Sequence, residues 1–137
     1  MTDLSEKIFS QYDRLNTGWK LAEEKLAKLH TPLYVQHVFL KTGRMEEALS
    51  WRCYRQAWRL AYEWRYIGDE NTPTSPTIEK DGIEWYDRPI LDCGAEVRVA
   101  AAPHFNALYQ KVKVAAADWL SDVKDAADKL SSDINIS

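Results

Sequence analysis

Histidine and cysteine are the side chains in this sequence that could most readily bind a metal. The three histidines, His30, His37 and His104, show no metal-ligand spacing such as His-x-x-x-His. The two cysteines, Cys53 and Cys93, lie far apart, and neither belongs to a Cys-x-x-Cys motif. A metal site would need at least three of these five residues to converge through tertiary folding. We therefore expect no metal site and no cofactor.

Cys93 offers the best opening for nucleophilic catalysis. The run Asp92-Cys93-Gly94 precedes a predicted helix, and the dipole of a helix N-terminus stabilises a thiolate. The same residues also suit an ordinary helix start, with Asp92 as the cap and Gly94 in the turn. The sequence has no Gly-x-Ser-x-Gly motif and no glycine-rich phosphate loop. We expect a protein that is not an enzyme. An enzyme built around Cys93 ranks third, after a protein-interaction module and a nucleic-acid binder.

Arginine and aromatic residues are concentrated in the middle of the chain. Residues 32–67 carry six basic and three acidic side chains, whereas residues 68–92 carry two basic and seven acidic ones. A partner could therefore bind an arginine-rich surface, or the acidic stretch could fold back and neutralise it. Arginines interleaved with aromatic rings can also bind RNA or single-stranded DNA, although the net charge of −3 disfavours this. The predicted partner-binding residues are Arg52, Tyr54, Arg55, Arg59 and Arg65.

A β-hairpin must position these arginines. Apolar and polar residues alternate from Ala57 to Tyr66, which is typical of a half-buried strand. A two-residue turn at Arg55-Gln56 would place Arg52 opposite Arg59 on the polar face, although Asn-Gly would be the usual turn sequence. On the apolar face the predicted pairs are Cys53 with Trp58, Trp51 with Leu60, and Leu49 with Tyr62. The competing interpretation is a buried helix over 45–67, within an elongated all-α bundle.

Further strands and two long helices complete the prediction. Segments 33–41 and 83–86 could add a third strand and a short fourth strand. Apolar residues spaced three or four apart predict amphipathic helices over 3–30 and 104–131, and a short helix is expected near 95–102. Gly18 could kink the first helix. The sequence therefore predicts one α+β domain over 1–137, a long N-terminal helix, a three-stranded antiparallel meander, and a long C-terminal helix packed on the sheet.

Composition narrows the class of protein. The chain of 137 residues is 45% hydrophobic and 28% charged, which excludes intrinsic disorder and a membrane bundle. We read no signal peptide at the N-terminus and expect a cytoplasmic protein with reduced thiols. The functional prediction is a small soluble protein-interaction or regulatory module, acting on a protein partner or through self-association. The alternative is an RNA or single-stranded nucleic-acid binder that uses the exposed arginine face of the hairpin.

Overall fold

The computed structural model describes residues 2–67, 78–79 and 83–135, and it confirms an α+β fold. Helix α1 (Thr2–Ala27) is followed by strands β1 (Val35–Thr42), β2 (Met45–Tyr54) and β3 (Ala57–Ile67). Strands β4 (Ile78–Glu79) and β5 (Ile83–Pro89) come next, and helices α2 (Ala95–Ala101) and α3 (Phe105–Asn135) end the chain. Short 3-10 turns precede α2 and α3. Most of the predicted acidic loop, 68–82, lies outside the described residues.

The strands form one antiparallel sheet in the order β1-β2-β3-β5-β4. The predicted hairpin register is confirmed, because Cys53 pairs with Trp58 and Arg52 pairs with Arg59. Arg55 and Gln56 form the turn with φ values of 50° and 72°, the left-handed conformation that a type I′ turn requires at both central positions. The alternative helix over 45–67 is therefore wrong. The predicted fourth strand is longer than expected, and β4 was not anticipated.

The helices lie on one face of the sheet, which is why its strands alternate in polarity. The apolar side chains of β2 and β3 meet α1, the residues before α2, and the first turns of α3. The central core residues have no exposed surface and are Leu26, Leu49, Leu60, Ile90, Leu108 and Val112. Fully burying such a side chain contributes about 1.5–3 kcal/mol, so this layer supplies the main driving force for folding.

The two long helices extend well beyond this core. Residues 3–14 of α1 are exposed, and in α3 every residue from 120 to 135 is exposed. The predicted packing of α3 on the sheet therefore holds only for its first turns, where Leu108 and Val112 are buried. In the described ranges, no helix is both long and apolar enough to cross a bilayer.

Candidate functional site

Arg52 lies on the helix-free face of the sheet and is held between two carboxylates. Its Nη1 is 3.1 Å from Oε2 of Glu63 and 2.5 Å from Oδ2 of Asp87. The Arg52 side chain is 27% exposed, so these pairs are only partly screened by water. Asp87, in β5, is one of the seven acids counted in residues 68–92, so at this one described position an acid of that stretch neutralises the basic segment.

Glu63 is the centre of this polar network and is itself 8% exposed. Its carboxylate accepts hydrogen bonds from the hydroxyl of Tyr34, at 2.7 and 2.9 Å, and from Nε2 of Gln36 at 2.7 Å. Burial, and then the bond to Glu63, raise the pKa of the Tyr34 phenol well above its ordinary value. The phenol therefore stays protonated and remains a donor at neutral pH.

Arg59 is paired with α1. Its Nε donates to Oε2 of Glu23 at 2.9 Å, and the same oxygen accepts the backbone N–H of Leu60 at 2.9 Å. Strand β5 pairs with β3 only from Ala61 onward, so the Leu60 amide lies at an open edge. Glu23 thus satisfies that amide and fastens α1 to the sheet.

The other predicted residues are less tightly held. Arg55 is exposed at the hairpin tip, and its guanidinium lies 5.3 Å from the ring centroid of Tyr54. Arg65 is half-buried, and the residue opposite it in the register of the neighbouring strand β2 is Glu46. Of the five predicted residues, only Arg55 is exposed. The structure thus brings Arg52, Arg59 and Arg65 to one face, with Arg52 and Arg59 already bound to acids of the same chain.

Cys93 is an apolar, protected thiol. It is 5% exposed, and its Sγ donates a hydrogen bond to the Pro89 carbonyl oxygen at 3.4 Å. Burial raises the pKa of the Cys93 thiol to about 11, so little thiolate forms at neutral pH. A catalytic cysteine is typically accessible and has a lowered pKa, whereas Cys93 is buried and its pKa is raised. Cys53, in contrast, is exposed on β2.

Two of the histidines lie near each other on the helix side of the sheet. The rings of His37 and His104 are 6.4 Å apart, and Phe39 stacks on His104 with centroids 4.8 Å apart. Burial, followed by the charges of Lys111 and His104, lowers the pKa of His37. The residues that the structure describes contain no group of three or more His, Cys, Asp or Glu side chains arranged to hold a metal ion.

An open apolar groove of about 530 Å³ runs between α1 and the junction of α2 with α3. Its volume lies in the range typical of ligand pockets. Most of its lining is aliphatic or aromatic, and Gln11 and Arg14 add polar groups. The apolar lining residues are Tyr12, Leu15, Trp19, Ala22, Val99, Ala102 and Phe105, together with Gly18.

The walls of the groove are fixed by Trp19. Its indole Nε1 donates to the carbonyl oxygen of Arg98 at 3.1 Å, which ties α1 to α2. The Trp19 ring also meets Phe105 edge to face, with centroids 6.3 Å apart and an angle of 88°. Both α1 and the α2–α3 corner are therefore held in place, and the groove is preformed.

Gly18 is an exposed residue of α1 in the lining of this groove. An interior helical glycine costs about 1 kcal/mol relative to alanine. Here no close contact demands it, because a Cβ at Gly18 would meet no atom within 4 Å. The visible effect of Gly18 is open space on the groove side of α1, which runs unbroken from Thr2 to Ala27. Sequence reasoning missed this site, although the unusual glycine was its available signal.

Comparisons with known proteins add no family to this description. No protein-family model matches the chain, and no curated protein and no solved structure matches it either.

Proposed function

We propose that this protein is an interaction module that binds an amphipathic helical segment of a protein partner in the groove beside Gly18. The observation that carries the proposal is the preformed apolar groove of about 530 Å³ between α1 and the α2–α3 junction. Contiguous exposed apolar surface on a small globular protein commonly marks an interaction site. The free thiols of Cys53 and Cys93 suit a reducing compartment such as the cytoplasm.

A helix fits the chemistry of the groove. Helix-in-groove recognition uses apolar side chains at positions i, i+3 or i+4, and i+7, which enter a cleft between packed elements. The rings of Tyr12, Trp19 and Phe105 provide the aromatic surface that often dominates binding energy. Arg14 adds a positive charge to the lining, which favours a partner helix with an acidic residue beside its apolar face.

The arginine surface of the hairpin gives weaker support for binding nucleic acid. Arg52 and Arg59 would have to exchange ion pairs with Glu63, Asp87 and Glu23 for contacts with phosphate. That exchange would leave partly buried carboxylates without their partners, which is costly. The favoured partner is therefore a protein that uses the groove.

The proposal is tested with a displayed library of helical peptides selected against the whole chain. Gly18→Leu fills the groove with a side chain that favours helix, and Gly18→Ala is the matched control that adds one methyl group. We expect selected peptides with an apolar face that bind Gly18→Ala like the original protein and bind Gly18→Leu at least about tenfold more weakly. Selected peptides without a shared apolar face, or equal binding to all three proteins, would contradict the proposal.

A further inference from the structure

A second apolar surface, separate from the groove, lies on the free part of α3. The stripe that α3 buries through Leu108 and Val112 continues past the sheet through the half-buried Ala116 and Trp119, and every residue from 120 to 135 is exposed. Leu120, Leu130 and Ile134 are 68%, 60% and 68% exposed. We call residues 116–134 the α3 extension.

The internal interactions of the α3 extension contribute little to its stability as an isolated helix. Most helical stability in proteins comes from packing of an apolar face, and that packing stops after the first turns of α3. Its ion pairs, Lys124 with Asp128 and Lys129 with Asp133, are exposed and place lysine before the acid, the less favourable order along a helix. A partner for the apolar stripe would supply the missing stabilisation.

The spacing of the stripe fits a two-helix coiled coil. Its core positions follow alternating steps of three and four residues, the repeat that keeps one seam facing a second helix. These residues are Ala116, Trp119, Val123, Ala126 and Leu130. Asp122 and Lys129 then fall one position before Val123 and Leu130, where side chains flank such a seam.

The two flanking charges decide both the partner and its direction. In an antiparallel pair of identical extensions, Val123 opposes Ala126 of the second copy, and Trp119 opposes Leu130. This register sets Asp122 beside Lys129 of the second copy, and two-fold symmetry repeats the opposite-charge pair. In a parallel pair the same flanking positions would face Ala127 and Ile134, which carry no charge.

We propose that the α3 extension forms an antiparallel homodimer with a second copy of this chain. The apolar pairing runs from Trp119 to Leu130, a seam of about 18 Å, because the next layer would set Ala116 against Asp133 of the second copy. It uses no residue of the groove, so each copy in the dimer would still offer its own groove to a partner. The dimer and the groove are independent, and one can fail without the other.

The test measures the mass of the full chain in solution by sedimentation over a wide concentration range. Asp122→Lys and Lys129→Asp each set like charges together in the dimer, and each should weaken it at least about tenfold. An equimolar mixture of the two variants restores opposite-charge pairs at both positions and should dimerise as the original chain does. Asp128→Lys and Lys124→Asp make the same charge changes away from the seam and should leave the dimer unchanged.

Each result is decisive. A concentration-dependent dimer that the two single variants weaken, that their mixture restores, and that the control variants leave intact supports the proposal. A monomer at every concentration would overturn it. A dimer that ignores Asp122→Lys and Lys129→Asp, or a mixture that stays dissociated, would overturn the antiparallel pairing. Circular dichroism of the equimolar mixture and of the two control variants verifies that α3 remains helical in the dimer.

Discussion

Glu63 is the residue on which the polar face of the sheet most depends. It is nearly buried and accepts hydrogen bonds from Tyr34, Gln36 and Arg52. Sequence alternation placed Arg52, Arg59 and Glu63 on the same face, so part of this network could be anticipated. The pairing with Asp87 could not, because it requires β5 to lie beside β3.

Replacing Glu63 with glutamine should destabilise the protein by about 2 kcal/mol. The substitution preserves shape, but it removes the charge that Arg52 faces and turns one acceptor into a donor near Tyr34 or Gln36. Urea unfolding measures the difference. Asp3→Asn, which removes a highly exposed ion pair with Lys7, should change stability by less than about 0.5 kcal/mol. Equal effects of the two substitutions would show that the Glu63 network contributes no special stability.

The two cysteines should differ sharply in reactivity. Cys53 is exposed, whereas Cys93 is buried, with its pKa raised to about 11. At pH 8 we expect a thiol reagent to label Cys53 at least about a hundredfold faster than Cys93, as mass spectrometry of the labelled chain would record. In denaturant the two rates should become similar. Faster labelling of Cys93 in the folded protein would revive the idea of a catalytic thiol.

At the scale of elements, periodicity was sufficient for the local pairings. The alternation over residues 49–66 predicts the β2–β3 register, and the apolar stripes predict α1 and α3 within a few residues. The placement of β5 and β4 could not be inferred, because long-range strand pairing leaves little mark on a local pattern. The groove was missed for the same reason, since it exists only through the placement of α1 against α2.

The β2–β3 turn carries backbone strain that a substitution can relieve. Gln56 adopts a φ of 72°, and a left-handed conformation costs an L-residue about 1–2 kcal/mol. Gln56→Gly should therefore stabilise the protein by about 0.5 kcal/mol, after allowance for the greater chain entropy of glycine when unfolded.

The β1–β2 turn provides the matched control. Gly43 already has a φ of 57°, so Gly43→Ala should destabilise the protein by about 1 kcal/mol. Thermal or urea unfolding of both variants measures the two effects, which should have opposite signs. Destabilisation by Gln56→Gly would indicate that the glutamine side chain contributes more than its backbone strain costs.

At the scale of the whole molecule, the sheet divides the protein into two kinds of surface. On the helix-free face, Arg52 is neutralised within the chain, and Glu23 neutralises Arg59 at the edge of β3. On the helical side, the groove and the α3 extension leave apolar side chains exposed. This distribution favours contacts with proteins and is the physical basis of both proposals.

The groove is tested most directly by nuclear magnetic resonance of the ¹⁵N-labelled chain, titrated with a selected helical peptide. We expect the largest amide shifts at Tyr12, Gly18 and Val99, which line the groove. Little change is expected at Tyr54 and Arg55, on the hairpin tip. Shifts centred on the tip, with the groove amides unmoved, would contradict the proposed binding surface.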